Sequence, residues 1–176
     1  MFTPILSFFI ERLLFKSKFF IIFTEQKNNM DKDLVVKKSI IPKAGKGLFT
    51  NRDFKKGERI VEYLGEIISW QECDVRAERD EGGYVFYVSR KKCIDAFHTP
   101  EALARFANDA NGLSKVKGIT NNCKYDIYKN TGWITSTKNI KAGSEILVRY
   151  GPEYWRDIRY NIKLEKEKKE AEKKKK

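Results

Sequence analysis

The stretch ARFANDANG, residues 104–112, places amide and carboxylate groups directly after the apolar residues Phe106 and Ala107. Asn108, Asp109 and the residues that follow them favour turns over helix interiors. Such side chains can cap the end of a helix, or they can hold a bound molecule through hydrogen bonds. The residue types alone leave both interpretations open.

The elements that must position these groups are predicted to be mainly short strands with a few short helices, which is a mainly β fold. Runs rich in β-branched residues are separated by glycine turns. The predicted strands are DLVVKKSI (33–40), ERIVEYLGEII (58–68), YVFYVS (84–89), KKCIDAF (91–97), TGWITST (131–137) and SEILVRY (144–150).

Two helices are predicted between these strands. The segment SWQECDVRAERD (69–80) has Ser69 as N-cap and Glu72 three residues later, which forms a capping box. The second helix is predicted to begin at Thr99-Pro100-Glu101, a cap followed by proline at the first helical position. Its buried face would consist of Leu103, Phe106, Ala107 and Ala110.

One short pattern occurs twice in the chain. FKKGERIVEY (54–63) and IKAGSEILVRY (140–150) both place a Lys-x-Gly turn before a strand that ends on a tyrosine. Two copies are too few for a repeat protein. The pattern predicts instead that two glycine turns place Tyr63 and Tyr150 close together in one site.

The composition indicates one globular domain, with 41% hydrophobic and 13% aromatic residues in a chain of 176. The formal net charge of +12 is most concentrated in residues 156–176, which hold ten basic and five acidic residues. We predict an N-terminal extension outside the fold (1–29), either an upstream segment or a membrane-surface helix, followed by a folded domain (30–155) and a Lys/Glu-rich tail (156–176). Four charged residues interrupt the apolar stretch 1–23 of this extension, so neither a membrane-spanning helix nor a secretory signal is expected.

The cysteines Cys73, Cys93 and Cys123 are widely spaced, and the single histidine, His98, precedes a Thr-Pro turn. No CxxC or CxC pair occurs, so the sequence predicts no metal site. An odd number of cysteines without disulfide-type spacing suits a reducing compartment, the nucleus or the cytoplasm.

Four motifs carry a resemblance to a known family: GKGLF (45–49), EYLGE (62–66), RFANDA with NNCKY (105–125) and EILVRYG (145–151). Their order resembles that of the SET-domain protein lysine methyltransferases, which carry GxG, YxG, RFxNHxxxxN and ELxxxYG. Asp109 stands at the usual histidine, and ANGLSKVKGIT (110–120) is inserted before NNCKY. The zinc-binding cysteines that flank many members are absent, so the chain is similar to short stand-alone members. The resemblance implies small β-sheets with a knot-like crossing near the C-terminus.

The resemblance also implies S-adenosylmethionine as cofactor and a protein lysine amine as methyl acceptor, with histone tails as the usual target. Gly45 and Gly47 would let the backbone around Lys46 approach the methionine end of the cofactor, where a side chain would clash. Tyr84 and Arg105 would flank that end.

Three further residues are implied to contact the rest of the cofactor. Asn108 would offer it hydrogen bonds, and Trp155 would cover the adenine ring. For Asp109 two hypotheses stay open. Its carboxylate would either attract the sulfonium by charge, or point to solvent and cap the turn.

Tyr150 matches the catalytic tyrosine of the family, and Tyr63 and Tyr125 match two further tyrosines of the lysine channel. A lysine amine has a free pKa of about 10.4, and an apolar aromatic channel would lower that pKa by desolvation. The alternative for each single tyrosine is ordinary strand packing. Tyr125 favours transfer of one methyl group, whereas Val148, where many relatives have an aromatic residue, would leave extra room in the channel.

The rival function is a non-catalytic SET-like module that binds a basic peptide or nucleic acid, or a small basic RNA-binding domain. The retained Gly45-x-Gly47 and Tyr150 favour the enzyme. The basic tail is either a solvated, partly helical segment or an arm that contacts nucleic acid. A homodimer is a further expectation, because short relatives sometimes pair, whereas a membrane is not an expected partner.

Overall fold

The computed structural model describes residues 32–79 and 81–173, so the predicted extension at 1–29 lies outside the described residues. The described chain forms small antiparallel sheets and two α-helices, α1 (Trp70–Glu78) and α2 (Pro152–Lys173). Short 3-10 helices cover Gly82–Tyr84 and Leu103–Phe106. The strands are β1 (Leu34–Lys38), β2 (Lys46–Thr50), β3 (Arg59–Tyr63), β4 (Glu66–Ile68), β5 (Val85–Ser89), β6 (Lys92–Asp95), β7 (Cys123–Tyr128) and β8 (Thr131–Ser136). The predicted mainly β fold is confirmed.

Three sheets have the strand orders β1-β2, β3-β8-β7 and β4-β6-β5, and all their pairings are antiparallel. In the second sheet, Tyr63 of β3 and Ile127 of β7 both lie opposite Gly132 of β8. A Cβ atom at Gly132 would lie 2.7 Å from the ring of Phe86 on β5. The missing side chain therefore lets the second and third sheets pack closely where the aromatic residues gather.

The core is formed by β-branched and leucine side chains from several strands, including Leu48, Ile60, Ile134 and Ile146, each fully buried. Burying one such side chain contributes roughly 1.5–3 kcal/mol to stability. Because strands β2, β3 and β8 each contribute one of these residues, the core holds the strand ends in fixed positions.

Helix α1 begins as predicted, since the Ser69 hydroxyl accepts a hydrogen bond from the Glu72 backbone N–H at 3.2 Å. The Glu72 carboxylate does not complete a reciprocal capping box but binds Arg76 at 3.0 Å. Arg76 also donates to Asp95 and Glu66, at 2.5 and 2.7 Å. This charged cluster fastens α1 to the sheet that contains β4 and β6.

The second predicted helix is wrong, since its predicted start at Thr99-Pro100-Glu101 is a turn closed by the Ala102 N–H, which donates to the Thr99 oxygen at 3.0 Å. Only Leu103–Phe106 forms a 3-10 helix, and Ala107 has extended dihedral angles of −76° and 113°. The following residue, Asn108, forms a parallel bridge to Leu147 and accepts a hydrogen bond from the Val148 N–H at 2.8 Å. This long-range pairing requires an extended chain, so it overrides the local helical pattern.

The predicted last strand, SEILVRY, is replaced by isolated bridges to three other parts of the chain. Glu145 pairs with Phe49, Leu147 with Asn108, and Val148 with Cys123. Residues 145–148 therefore lie among three separate segments, at the place where the knot-like crossing is expected. The inserted residues 110–120 form a loop without helix or strand.

Helix α2 contains most of the basic tail, and none of its residues is fully buried. Glu and Lys side chains alternate along it, with one i,i+4 ion pair between Lys163 and Glu167 at 3.8 Å. Neither described helix has the length and apolar character needed to cross a membrane. The basic tail is thus helical up to Lys173, as the prediction of a partly helical segment requires.

Candidate active site

A cavity of about 850 Å³ lies between strands β3, β5 and β7, the start of β2, and the first turn of α2. Nine of the predicted site residues line this cavity. They are Lys46, Tyr63, Tyr84, Arg105, Asn108, Asp109, Tyr125, Tyr150 and Trp155. Gly45, Gly47 and Val148, which were also predicted, are not among its lining residues.

The predicted tyrosines stand in a continuous row of aromatic rings. The Tyr125 ring lies edge-on to Tyr63 at 6.0 Å and stacks on Tyr150 at 6.4 Å. Tyr150 in turn stacks on Trp155, with centroids 5.8 Å apart and planes 12° from parallel. The two Lys-x-Gly turns, with Gly57 and Gly143 at φ of 85° and 82°, precede the segments that end on Tyr63 and Tyr150.

Sequence reasoning missed two aromatic residues of the cavity. Phe86 lies 5.3 Å from Tyr63 and 5.2 Å from Tyr125, and Tyr154 lies edge-on to Tyr150 at 4.9 Å. Tyr154 belongs to YGPEYW, where the tyrosine beside Trp155 was a usable signal. Phe86 had no such signal, because either face of β5 could have been buried.

Two phenol hydroxyls already donate their protons to backbone carbonyls. The Tyr63 hydroxyl donates to the Tyr84 oxygen at 2.9 Å, and the Tyr150 hydroxyl donates to the Ala107 oxygen at 2.7 Å. Burial raises the pKa of both phenols far above the ordinary value of 10. Both groups therefore stay protonated at neutral pH, and their oxygen lone pairs are left to accept hydrogen bonds.

Arg105 carries an unsatisfied donor at the cavity wall. Its guanidinium lies 4.0 Å from the centre of the Tyr84 ring, and Nη1 donates to the Phe97 oxygen at 3.3 Å. Within residues 32–79 and 81–173, its buried Nε has no hydrogen-bond partner. An unpaired buried donor costs free energy, so this N–H suits an acceptor on a bound molecule.

Glu145, another residue that sequence reasoning missed, fixes the loop that contains the GxG motif. Its buried carboxylate accepts hydrogen bonds from the Ser39 hydroxyl at 2.7 Å and the Ile40 N–H at 2.8 Å. It also accepts one from the Asn108 amide at 3.1 Å. The same amide nitrogen donates to the Lys46 oxygen at 2.9 Å, so the donors of Asn108 are occupied by protein groups. Only the carbonyl oxygen of this side chain is left to contact a ligand.

The two glycines of the GxG motif each have a structural reason within the protein itself, and close approach of their backbone to a cofactor stays a prediction. Gly45 has a φ of 73°, a left-handed conformation that favours glycine, and a Cβ atom there would meet nothing within 4 Å. At Gly47, a Cβ atom would lie 2.8 Å from Cδ of Glu145 and closer still to its Oε1. Gly47 is thus required by a carboxylate of the protein itself, which packs where a side chain would stand.

Val148 lies in the hydrophobic core and not in the cavity. Its side chain is fully buried, and its backbone pairs with Asn108 on one side and Cys123 on the other. This double pairing directs the residue into the core. The predicted extra room at Val148 is therefore absent from the cavity wall.

Asp109 is buried, with 4% of its surface exposed, so it does not point to solvent. Its Oδ1 accepts hydrogen bonds from the Asn111 N–H and the Asn121 amide, both at 2.8 Å. Its Oδ2 accepts from the Tyr150 N–H at 2.9 Å and the Trp155 indole at 2.8 Å. Burial alone would raise the pKa of this carboxyl, but the hydrogen bonds outweigh it and hold the pKa below 3.8. Attraction of a sulfonium stays a prediction.

No group of three or more His, Cys, Asp or Glu in the described residues is arranged to hold a metal ion. All three cysteines are buried and free. Burial raises the pKa of the Cys73 and Cys123 thiols to about 12, so both are protonated and unreactive at neutral pH.

Comparison with known proteins defines the class. The SET domain family matches residues 45–151, and the chain belongs to this family. The match includes the cavity residues from Lys46 to Tyr150 and the inserted loop.

Two relatives are informative. The chain is 28% identical over 145 residues to the N-lysine methyltransferase KMT5A of Xenopus tropicalis, covering 73% of this chain and 41% of the relative. It is 30% identical over 138 residues to the histone-lysine N-methyltransferase EZH2 of Chaetomium thermophilum, covering 70% of this chain and 8% of the relative. The chain thus spans less than half the length of these curated relatives.

The fold agrees with that of solved structures. A humanized mutant of the Chaetomium thermophilum Polycomb Repressive Complex 2, bound to the inhibitor GSK126, matches with a TM-score of 0.55 at 30% identity. The match covers 67% of this chain and 15% of that chain. The apo complex with E840A and K852D mutations in Ezh2 matches with a TM-score of 0.54 at 31% identity.

Proposed function

We propose that this protein transfers a methyl group from S-adenosylmethionine to a lysine side chain of a protein, with a histone tail as the leading substrate and one methyl as the main product. The observation that carries the proposal is the pair of phenols in the aromatic-walled cavity. Tyr63 and Tyr150 each donate to a backbone carbonyl, which leaves their oxygens as fixed acceptors. Relatives named as lysine methyltransferases support the same reaction.

The cavity residues fit S-adenosylmethionine. The unpaired Arg105 Nε–H suits the cofactor carboxylate, and Lys46 lines the same cavity. The Trp155 ring offers a flat face for the adenine, and the aromatic row offers π-faces that attract a cation. When bound, S-adenosylmethionine supplies a methyl group on a positively charged sulfur.

The protein residues prepare the lysine. Aromatic rings along the cavity surround the aliphatic stem and remove water, which disfavours the charged ammonium and lowers the pKa of the amine. The hydroxyl oxygens of Tyr63 and Tyr150 accept N–H hydrogens, so the nitrogen lone pair is held in one direction. Because both phenols stay protonated, they orient the amine and do not act as its base.

Transfer of a single methyl is supported by the packing of Tyr125. Its ring packs against Tyr63, Phe86 and Tyr150, so these four aromatic side chains occupy this part of the cavity wall together. Val148 adds no space, because it lies in the core. A methylated amine would have to rotate in this confined place to present its lone pair again.

The test is incubation of the full chain with radiolabelled S-adenosylmethionine and a panel of histones and ribosomal proteins. We expect Tyr150→Phe to lower kcat about a hundredfold, the usual effect of removing one such hydrogen-bonding group. The matched control is Tyr160→Phe, because Tyr160 is 61% exposed on α2 and lies outside the cavity. Equal activity of the two variants would contradict the proposed role of Tyr150.

Transfer to no protein of the panel, together with no cofactor binding in calorimetry, would favour the rival function of a non-catalytic module. A nuclear location is part of the proposal, because relatives are named as histone-lysine methyltransferases. Imaging of the tagged protein tests it. The homodimer and the nucleic-acid contact of the tail stay predictions, which light scattering and a salt-dependent DNA-binding assay would test.

A further inference from the structure

Asp109 is the junction of four hydrogen bonds that come from three different parts of the chain. Asn111 and Asn121 donate to its Oδ1, and Tyr150 and Trp155 donate to its Oδ2, all at 2.8–2.9 Å. Two of the donors are backbone N–H groups and two are side chains. All of the partners are neutral, so the buried negative charge is stabilised by hydrogen bonds alone.

Two of these donors lie at the two ends of the inserted loop, residues 110–120. Asn111 is at its beginning, and Asn121 follows its last residue. The Asn121 oxygen also accepts the Ala110 N–H at 2.8 Å, so the two ends are bonded to each other as well. One carboxylate therefore closes an eleven-residue loop at its base.

The loop lines the cavity beside Trp155. Gly112, Leu113 and Ser114 are lining residues, and Leu113 is 56% exposed at the rim. A Cβ atom at Gly112 would lie 2.7 Å from the Trp155 ring, so the loop backbone packs directly on the indole. The indole also stacks on the Tyr150 ring.

We propose that Asp109 is a positioning residue which joins Tyr150, Trp155 and the inserted loop into one wall of the cavity, and that this wall receives the purine ring of the cofactor. The identity of the ligand rests on the proposed function. The assembly of the wall rests on the hydrogen bonds of Asp109 alone.

The chemistry of the side chain explains why a carboxylate stands at this position. A carboxylate has two oxygen atoms with about four lone-pair sites, which matches the four donors. An amide or a neutral imidazole has one acceptor atom, so it would leave some of these donors unpaired. The inserted loop and the residue that follows it supply two of the four donors, and Asp109 supplies the acceptors that such a loop requires.

The first experiment measures cofactor affinity in the full chain. We expect Asp109→Asn to weaken binding of S-adenosylmethionine and S-adenosylhomocysteine about tenfold in calorimetry, since its NH₂ group would face hydrogen-bond donors. The matched control is Asp157→Asn, which removes the same charge from a 65% exposed side chain on α2. We expect the control to change the affinity less than twofold.

The second readout is the indole N–H signal of Trp155 in NMR spectra, identified by its loss in Trp155→Phe. A hydrogen bond to a carboxylate shifts this signal downfield. We expect Asp109→Asn to move it upfield and to speed its exchange with solvent. The Trp133 indole, which donates to the Thr131 hydroxyl at 2.7 Å, should keep its position and serves as an internal reference.

An unchanged Trp155 signal together with unchanged affinity would overturn the proposal. If Asp109→Asn does not fold, Asn121→Ala carries the test, because Asn121 is half-buried at the base of the loop. We expect that variant to weaken cofactor binding about threefold, and an unchanged affinity would overturn the proposal equally. If the wild-type chain binds no cofactor, the proposed function fails, whereas the Trp155 signal still tests the assembly of the wall.

Discussion

The two ends of the cavity are built in different ways. At one end, Tyr63 and Tyr125 stand on β3 and β7, and Phe86 stands on β5. At the other end, Asn108 and Asp109 lie in irregular chain, and Trp155 lies in the first turn of α2. Strand pairing and core packing position the first end, whereas hydrogen bonds to buried carboxylates position the second.

Two buried carboxylates hold the irregular segments in place, as backbone pairing holds the strands of the sheets. Glu145 accepts three hydrogen bonds and Asp109 accepts four, and together they tie five separate stretches of chain. A strand repeats its backbone pairing at every residue, so the loss of one side chain leaves its register intact. An irregular segment held by one carboxylate has no such redundancy. We call the end with Asn108, Asp109 and Trp155 the loop-built end, and the end on strands β3, β5 and β7 the sheet-built end. Substitutions should therefore disturb the loop-built end more than the sheet-built end.

Gly47→Ala should have the largest effect, because its Cβ would displace the Glu145 carboxylate from Ser39 and Asn108. We expect a loss of about 2 kcal/mol in the free energy of unfolding, measured in urea, and weaker cofactor binding. Gly83→Ala is the matched control, since a Cβ there would meet nothing within 4 Å. Equal stability of the two variants would show that the loop adapts without Glu145.

Acid should weaken the loop-built end through Asp109. Hydrogen bonds hold the folded-state pKa of Asp109 below its ordinary value, so the ionised carboxylate stabilises the folded state above that ordinary value, and this contribution is lost as pH falls through the folded-state pKa. The stability difference between wild type and Asp109→Asn should therefore shrink as the pH is lowered from 6 toward 3. Unfolding curves across this range measure it. A difference that stays constant would mean that protonation of Asp109 does not contribute.

Tyr125→Phe should have the smallest effect on stability and rate, because the ring contacts with Tyr63, Phe86 and Tyr150 remain. Because the lost hydroxyl frees space in which a methylated amine can rotate, we expect a shift from one methyl toward two or three in mass spectra of the product, with kcat changed less than about threefold. Tyr128→Phe on the same strand is the control, since Tyr128 lies outside the cavity. An unchanged product would remove Tyr125 as the determinant.

Motif order and residue pattern predicted the fold family, most strands, helix α1 with its Ser69 cap, and nine of the cavity residues. These predictions depend on local signals such as strand alternation and capping, or on motifs that recur in a family. The wrong predictions share one cause. The helix after Leu103 and the strand at 144–150 both lie where Asn108 and Val148 pair across the chain. Local propensity contains no information about a partner forty residues away.

The sequence by itself determined which chemical groups are present: the tyrosines, Trp155, Arg105 and the glycines of the GxG motif. The tertiary structure decided which groups each of them contacts. It packs the Glu145 carboxylate where a side chain at position 47 would stand, and it places Val148 in the core. It also makes Asp109 the hydrogen-bond acceptor for both ends of a loop, a tyrosine and a tryptophan. A carboxylate's partners depend on which donors folding brings within about 3 Å, and that distance is not a property of any local stretch of sequence.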